Sequence, residues 1–568
     1  LLGLGTEGQL ALVMEKPAAL EISAARISLG ETRLISAANE HGRIELLHTE
    51  WTPEQLHAKG RVSGVSVGVT LDEYQRTVFG GRSLQLGAEW DLALADKPRG
   101  LVRVFREGGD FVLQGDAPVA LGLENLDLNL ALDDGRLAVS ALANGSRIGA
   151  FNAVATLALK GRGAQTRIDT TAPMVGVVNV DIPSIGWLGP LADQNLRTAG
   201  SLRGQFNITG TPEKPVGAGF LKGENLGLAL SEQGLRLDRG KMLLNFDANR
   251  VSLEAFEFRA DNRMPPPDRR LPAQPAEGTL RGSGEIALPA GKGRFQLALD
   301  HVALLQQPSQ WLVLSGDAQL TSGWDQLDIA ARLKGDAGFI GVARGGAPRL
   351  SEDVVIRGRQ KPPQRLKLNA DIGFDFGDQF ILKAYGIDTW LDGQLQLTLA
   401  QGKTPRAAGA IRTREGVFNA YGQRLEIERG AVNFHGPLDN PALNIVALRK
   451  GLEVEAGVEV TGSAQRPKVR LVSTPSVPEQ EKLAWILFGR PSEGSAADIG
   501  VLLSAAGANF GNDGEGLGAR LASGFMPAPP RLVLRGGLYR RLGGYDASYR
   551  IAGDFELCWG RDNHGGCR

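Results

Sequence analysis

Strict alternation of apolar and polar residues is the dominant pattern along this chain. Two runs show it clearly, with apolar residues at Phe295, Leu297 and Leu299 and at Leu395, Leu397 and Leu399. A period of two places one set of residues on one face of a β-strand and the other set on the opposite face. Such runs recur from about Leu20 to Val472, and almost none of this region has a sustained helical period. We therefore predict a mainly β protein, an elongated antiparallel sheet without intervening helices.

A sheet of this kind has one apolar face. If it curls about its long axis without closing over a filled core, that face becomes the wall of an open groove. The six apolar residues named above are then groove-lining candidates. An ordinary β-sandwich core uses the same alternation, so the pattern by itself leaves both interpretations open.

Part of the strand pattern occurs twice. The segment from Arg203 to Phe246 is repeated from Asp392 to Phe434, about 190 residues later. Repeated strand units that do not bury a face alone indicate a stacked, quasi-one-dimensional sheet. Two stretches interrupt the pattern, the proline-rich segment from Met264 to Pro275 and residues 343–364, and we interpret both as irregular connections.

The period changes after Pro475. Ser476 and Glu479 have the spacing of a capping box at a helix start. Leu483, Ile486 and Leu487 then fall on one helical face, and a second helix is predicted from Ala496 to Phe510. Such faces pack on the end of a sheet or contact a membrane or a partner.

Composition adds few constraints. Lysine plus arginine equals aspartate plus glutamate, 63 each, so overall charge gives no reason to bind nucleic acid. The two cysteines, Cys558 and Cys567, lie at the end of the chain, so no disulfide framework is expected in the body. Three histidines, His41, His48 and His57, lack metal-ligand spacing, and we expect neither a metal nor a cofactor.

An ordered set of motifs runs from residue 409 to residue 490. The segments are Gly416–Gln423, Ile427–Gly430, Phe434–Pro441, Gly457–Val458, Gly462, Pro467, Leu471–Ser473, Pro478–Glu479 and Leu483–Arg490. In order and spacing they resemble the C-terminal domain of the TamB family. The strand-rich region upstream is similar to the rest of that family's array, with weaker motifs.

The resemblance implies an open groove of the AsmA-like and TamB-like kind, located in the periplasm. It implies an inner-membrane anchor in an N-terminal part that this chain, which starts without methionine, is expected to lack. It also implies a TamA-like outer-membrane barrel as partner, and roles in outer-membrane protein assembly, secretion and phospholipid transport. An apolar wall suits acyl chains, since each buried methylene contributes roughly 0.8 kcal/mol.

The last segment does not follow this resemblance. Residues 526–557 resemble an internal piece of a family 2 glycosyltransferase, in which an acidic residue at the place of Asp554 serves as catalytic base. The nucleotide-sugar site of such an enzyme is absent from the sequence, so we expect a non-enzymatic protein with no catalytic residues. The alternatives are a glycosyltransferase, supported by this tail alone, and a β-solenoid adhesin.

We therefore expect four parts in the chain. They are a repetitive strand array at 1–350, a TamB-like C-terminal β domain at 351–475, an amphipathic helical segment at 476–524, and a foreign-looking tail at 525–568.

Overall fold

A computed structural model shows one large curled sheet, in which 70% of the described residues are in strands and 4% in helices, and this confirms the predicted mainly β fold. The structure describes residues 3–6, 9–36, 42–67, 84–113, 119–193, 195–288, 290–323, 325–342, 367–384, 386–420, 422–492, 548–551 and 555–558. No helix in these ranges is long and apolar enough to span a lipid bilayer.

The strands follow one another along the chain with two short helices among them. The strands are β1 (Gly3–Thr6), β2 (Gln9–Met14), β3 (Leu20–Ile22), β4 (Ile27–Leu29), β5 (Thr32–Ser36), β6 (Arg43–Trp51), β7 (Leu56–Val67), β8 (Leu84–Leu94), β9 (Arg99–Gly108), β10 (Val112–Leu113), β11 (Val119–Ala120), β12 (Leu123–Asp133), β13 (Arg136–Gly145), β14 (Gly149–Lys160), β15 (Arg167–Ile168), β16 (Val175–Ile182), β17 (Leu196–Thr211), β18 (Lys214–Leu230), β19 (Leu235–Asp247), β20 (Arg250–Asp261), β21 (Glu277–Ala287), β22 (Lys292–Gln306), β23 (Gln310–Ser322), β24 (Gln326–Val342), β25 (Lys367–Asp375), β26 (Phe380–Ala384), β27 (Ile387–Leu399), β28 (Arg406–Ala420), β29 (Gln423–Pro437), β30 (Ala442–Leu448), β31 (Glu455–Ser463), β32 (Arg466–Thr474), β33 (Ser548–Ile551) and β34 (Phe555–Cys558). The helices are α1 (Leu188–Ala192), α2 (Glu479–Phe488) and a 3-10 turn at Gly163–Gln165.

Nearly every strand from β5 to β24 pairs with the next main strand in antiparallel order, so the connections alternate between two long edges of the sheet. We call the edge with connections 183–195, 231–234 and 262–276 the helix rim. The opposite edge, with connections 134–135, 212–213 and 248–249, is the turn rim. At the turn rim a tight turn joins β12 to β13, and its residues Asp134 and Gly135 both have positive φ (39° and 80°). This Asp-Gly pair suits a two-residue hairpin because both central residues must adopt that conformation.

The antiparallel order is interrupted at one junction. Strand β24 pairs in parallel with β25 along one half and with β26 along the other half. Strands β25 and β26 both pair with β27, after which the antiparallel order resumes to β32. The predicted irregular connection at 343–364 lies outside the described residues, and the boundary near residue 350 stays a prediction.

The two copies of the sequence repeat have the same backbone plan. Strands β17–β19 and β27–β29 are each three consecutive antiparallel strands. The middle strand of each has a bulge at a non-glycine residue with positive φ, Asn225 (50°) in the first and Glu415 (49°) in the second. A bulge kinks a strand and increases its local twist, so both units bend at equivalent places.

The proline-rich segment forms a strap, residues 262–276, on the sheet face opposite the apolar wall described below. Leu271 of the strap packs with Trp311, Phe339 and Ile381. Ile381 and Leu382 are adjacent on β26 and therefore point to opposite faces. Since Leu382 belongs to a different cluster, on the apolar face, the strap covers the other face.

Helix α2 follows the last strand of the main sheet and packs on β31 and β32. The capping-box prediction is wrong, because the helix starts at Glu479 after Pro478 and no side chain caps it. The Ser473 hydroxyl instead accepts a hydrogen bond from the Val477 amide. The predicted helix from Ala496 to Phe510 lies outside the described residues. In the tail, β33 and β34 form a separate two-stranded sheet.

Candidate functional site

The candidate site is the apolar face of the sheet, which is continuous across many strands. One row of directly paired residues crosses from β14 to β27 without a polar side chain. It consists of Phe151, Val180, Gly204, Leu221, Leu244, Leu253, Gly284, Phe295, Leu320, Ile329, Ala370 and Leu399. Because each residue is the cross-strand neighbour of the next, their side chains form an uninterrupted apolar strip.

The structure brings the six predicted groove-lining residues together in three adjacent rows. Phe295 connects through Leu320, Ile329 and Ala370 to Leu399. Leu297 connects through Ala318, Ala331 and Ile372 to Leu397, and Leu299 connects through Gly316, Leu333 and Phe374 to Leu395. Two runs almost 100 residues apart in the sequence thus share one surface, separated by roughly 4.8 Å per strand step.

The apolar face is covered at the helix rim and open at the turn rim. At the helix rim Leu226, Leu237 and Phe258 are buried, and the connection before β17 packs on them through Ile185. Toward the turn rim most of the apolar side chains are half-buried and some are exposed, with Leu137 and Ala370 as buried exceptions. Strand β27 runs from one rim to the other and shows the change, with Leu395 8% and Leu399 37% exposed.

The opposite face is polar and charged. Many of its charged side chains form ion pairs between neighbouring strands, including Lys59 with Asp91 at 2.7 Å and Arg203 with Asp181 at 3.3 Å. The Arg103 guanidinium holds the pKa of the Asp127 carboxyl below its usual range. These pairs are exposed and contribute little stability individually, but they keep this face hydrated.

At the C-terminal end the apolar face is closed. Strands β26–β32 enclose a packed cluster in which Leu425, Ala456 and Ile486 are fully buried. Helix α2 supplies Trp485 and Ile486 to this cluster. The Arg449 side chain donates a hydrogen bond to the Ile486 carbonyl at 2.8 Å, and Gly489 ends the helix in the left-handed conformation (φ 69°). The helix therefore fills the end of the groove.

Within the part of the chain that the structure describes, the other candidate chemistry does not form a site. His48 and His57 are brought together on β6 and β7, with ring centroids 4.9 Å apart, a proximity that sequence spacing did not reveal. They face Glu50 and Asp91, yet no group of three or more possible ligands within the described ranges is arranged to hold a metal ion. Asp554 and His41 lie outside the described residues.

The geometry defines a class of protein: a long, open β-sheet with one apolar wall, one charged wall and a helical plug at one end. Residues 269–525 match the family described as the TamB C-terminal domain. The translocation and assembly module subunit TamB of Haemophilus influenzae is 27% identical over 362 residues, covering 58% of this chain and 27% of that protein. The resemblance to the TamB family that the sequence motifs predicted is thus confirmed. The chain matches only about a quarter of that relative's length.

Proposed function

We propose that this chain is part of a periplasmic, inner-membrane-anchored component of a translocation and assembly module, and that its apolar wall carries phospholipid acyl chains between the inner and outer membranes. A TamA-like outer-membrane barrel is the proposed partner, and outer-membrane protein assembly and secretion are the wider process. The family match and the relative's name support the module assignment. The protein acts without catalysis, by providing a surface.

The observation that carries the lipid part is the row from Phe151 to Leu399, which is apolar throughout although all its large side chains are half-buried or, at Leu399, exposed. A packed sandwich would bury such a row, whereas an acyl chain lying on it would remove that area from water. Hydrophobic contact is non-directional and scales with area. A chain can therefore slide from one row to the next without a dedicated site.

The curled sheet also separates the two parts of a phospholipid. Acyl chains would lie on the apolar wall, and the headgroup would remain in water at the open turn rim. The charged outer face, with its inter-strand ion pairs, is costly to dehydrate and would not compete for the acyl chains. The polarity of the two faces thus fixes which side of the sheet holds the lipid.

The test is a pair of adjacent substitutions on β22 in the full-length protein. Leu297→Arg places a charge on the apolar wall, while Gln296→Arg places it on the exposed polar face of the same strand. Lipid photocrosslinking in cells, mapped along the groove, should fall about tenfold past β22 for Leu297→Arg, because a buried charge is costly to desolvate. Gln296→Arg should leave it unchanged. Equal crosslinking in both folded variants would reject conduction along this wall.

A further inference from the structure

On the apolar face, several aromatic rings lie directly over glycines of a neighbouring strand. A Cβ atom built on each of these glycines would come within 3.0 Å of ring carbon atoms. The pairs are Gly60 with Trp90, Gly240 with Phe258, Gly282 with Phe256, Gly284 with Phe295, and Gly338 with Phe380. Real Cβ atoms essentially never approach a neighbour that closely, so any other residue would displace the ring.

This arrangement reduces the distance by which the aromatic side chains extend from the apolar face of the sheet. A glycine within a strand marks a place where another group approaches the backbone closely. A ring that occupies this space lies down against the sheet instead of standing up from it. Facing sheet layers normally pack about 10 Å apart with interdigitating side chains, which leaves no free channel. Rings held down on glycines leave room above the wall.

Gly282 is the central example. It lies in β21, directly paired with Leu297 of β22, in one of the three rows that join the predicted lining residues. A Cβ on Gly282 would lie 2.9 Å from Cδ1 of Phe256 and 2.7 Å from Cδ2 of Leu297. The nearest obstacles are thus two flexible side chains of the wall, and the closest backbone atom, the Gln296 carbonyl oxygen, is 3.5 Å away.

We propose that these glycines set the clearance of the groove. Each keeps a neighbouring large side chain against the sheet, and a methyl group at Gly282 raises Phe256 and Leu297 into the acyl-chain path. The inference rests on the proposed lipid function and adds to it the residues that determine how bulky an acyl chain passes.

The main experiment compares Gly282→Ala with Gly217→Ala. Gly217 lies on the same face in β18, paired with Ile208, and a Cβ there would meet nothing within 4 Å. Neither glycine has φ in the left-handed region. The purified chains are mixed with vesicles of phosphatidylethanolamine and phosphatidylglycerol carrying a phospholipid with a photoreactive acyl chain. Crosslinks are then mapped by mass spectrometry.

Gly282→Ala should lower the crosslink yield on β20–β22 about tenfold, because the added methyl group displaces Phe256 and Leu297 into the space that an acyl chain would occupy. Gly217→Ala should stay within about twofold of the unchanged chain. Equal yields for the two folded variants would overturn the proposal. If the unchanged chain acquires no crosslinks at all, the lipid function fails and this inference fails with it.

A second variant decides the matter if Gly282→Ala does not fold. Phe256→Ala keeps the glycine and removes the ring, so the wall becomes lower. This variant should retain several-fold more of a phospholipid with a bulky pyrenyl acyl chain than the unchanged chain does, and similar amounts of a straight-chain phospholipid. No selective gain for the bulky chain would overturn the proposal.

Discussion

Strands β12–β24 and strands β26–β32 carry the same alternation of residues but differ in how much of the apolar face is buried. Leu299 and Leu395 lie in one row, joined through Gly316, Leu333 and Phe374. Leu299 is half-buried, whereas Leu395 belongs to the packed C-terminal cluster. In that cluster helix α2 and strands β26–β32 cover the apolar face. In strands β12–β24, which we call the open array, nothing within the described ranges covers the part of the face near the turn rim.

The difference shows that period-two alternation specifies a face and leaves its cover undetermined. The same leucine contributes to stability where another element packs on it, and provides a binding surface where none does. In strands β12–β24, burial of the apolar face is concentrated at the helix rim, and backbone hydrogen bonds join the neighbouring strands. The packed end gains the additional stability of a closed core.

The largest predicted effect compares one isoleucine from each region, Ile486 in helix α2 and Ile329 in strand β24. Ile486 is fully buried in the packed end, and Ile329 is half-buried on the open wall. Ile486→Ala should lower the free energy of unfolding of the C-terminal region by about 4 kcal/mol, because it leaves a cavity. Ile329→Ala should cost about 1 kcal/mol, because it removes less buried area. Denaturant unfolding followed by tryptophan fluorescence and by circular dichroism measures both. Equal costs would mean that the wall is packed like a core.

An intermediate effect is expected at the strap, which lies over the junction between the two regions. Asp268 is buried, and it forms ion pairs with Arg270 at 3.0 Å and Lys383 at 2.7 Å. Arg270, and secondarily Lys383, hold the pKa of the Asp268 carboxyl below its usual range. Asp268→Asn should destabilise the strap by about 2 kcal/mol, since both cations keep some exposure to screening solvent.

The same ion pairs give the strap a pH dependence. Because the folded pKa of Asp268 lies below the unfolded value of about 3.9, its stabilisation is complete above that value. The contribution is lost as pH falls through the folded pKa. The protection factors of residues 262–276 in hydrogen exchange, which correct for the intrinsic pH dependence of amide exchange, should therefore fall on acidification below about pH 4, and less so in Asp268→Asn. Asp96→Asn, in an exposed pair with Arg162, is the control. Identical acid responses in all three chains would exclude this role.

The smallest effect is expected for the tail. Deleting residues 526–568 should leave the melting temperature of the sheet unchanged, because β33 and β34 pair with each other in a sheet of their own. The tail is also expected to bind no nucleotide sugar. Calorimetry with a nucleotide sugar and thermal unfolding of both chains measure this. A clear loss of stability, or binding, would make the tail an integral domain.

The strand pattern and the shared face of the candidate residues were predictable from the sequence, because a period of two assigns faces wherever no bulge interrupts the strand. The parallel junction at β24 was not predictable, since alternation carries no information on strand direction. The bulges at Asn225 and Glu415 were also hidden, because neither residue is a glycine that would signal positive φ. The proximity of His48 and His57 depends on strand register, which spacing along the chain does not give.

The position of the strap was equally hidden in the sequence. Trp311 and Phe339 are apolar residues on the face that is otherwise polar. Trp311 continues the alternation of Asp317 on β23, whereas Phe339 reaches this face because strands β23 and β24 shift register near Asp336. A one-residue shift moves following residues to the other face. The strap then supplies the cover that these exposed aromatic residues need, with Leu271 packed against them.

The parallel junction has a consequence for the symmetry of the molecule. Successive antiparallel strands reverse direction at every step, so two units separated by an odd number of steps would point in opposite directions. Strands β17 and β27 are separated by an odd number of steps, yet both run from the helix rim to the turn rim. The parallel pairing of β24 with β25 and β26 leaves the strand direction unchanged at one step, so β17 and β27 have a common orientation. The two copies of the repeat are therefore related by translation along the sheet. A lipid that moved along the wall would meet the strands of both copies in the same direction.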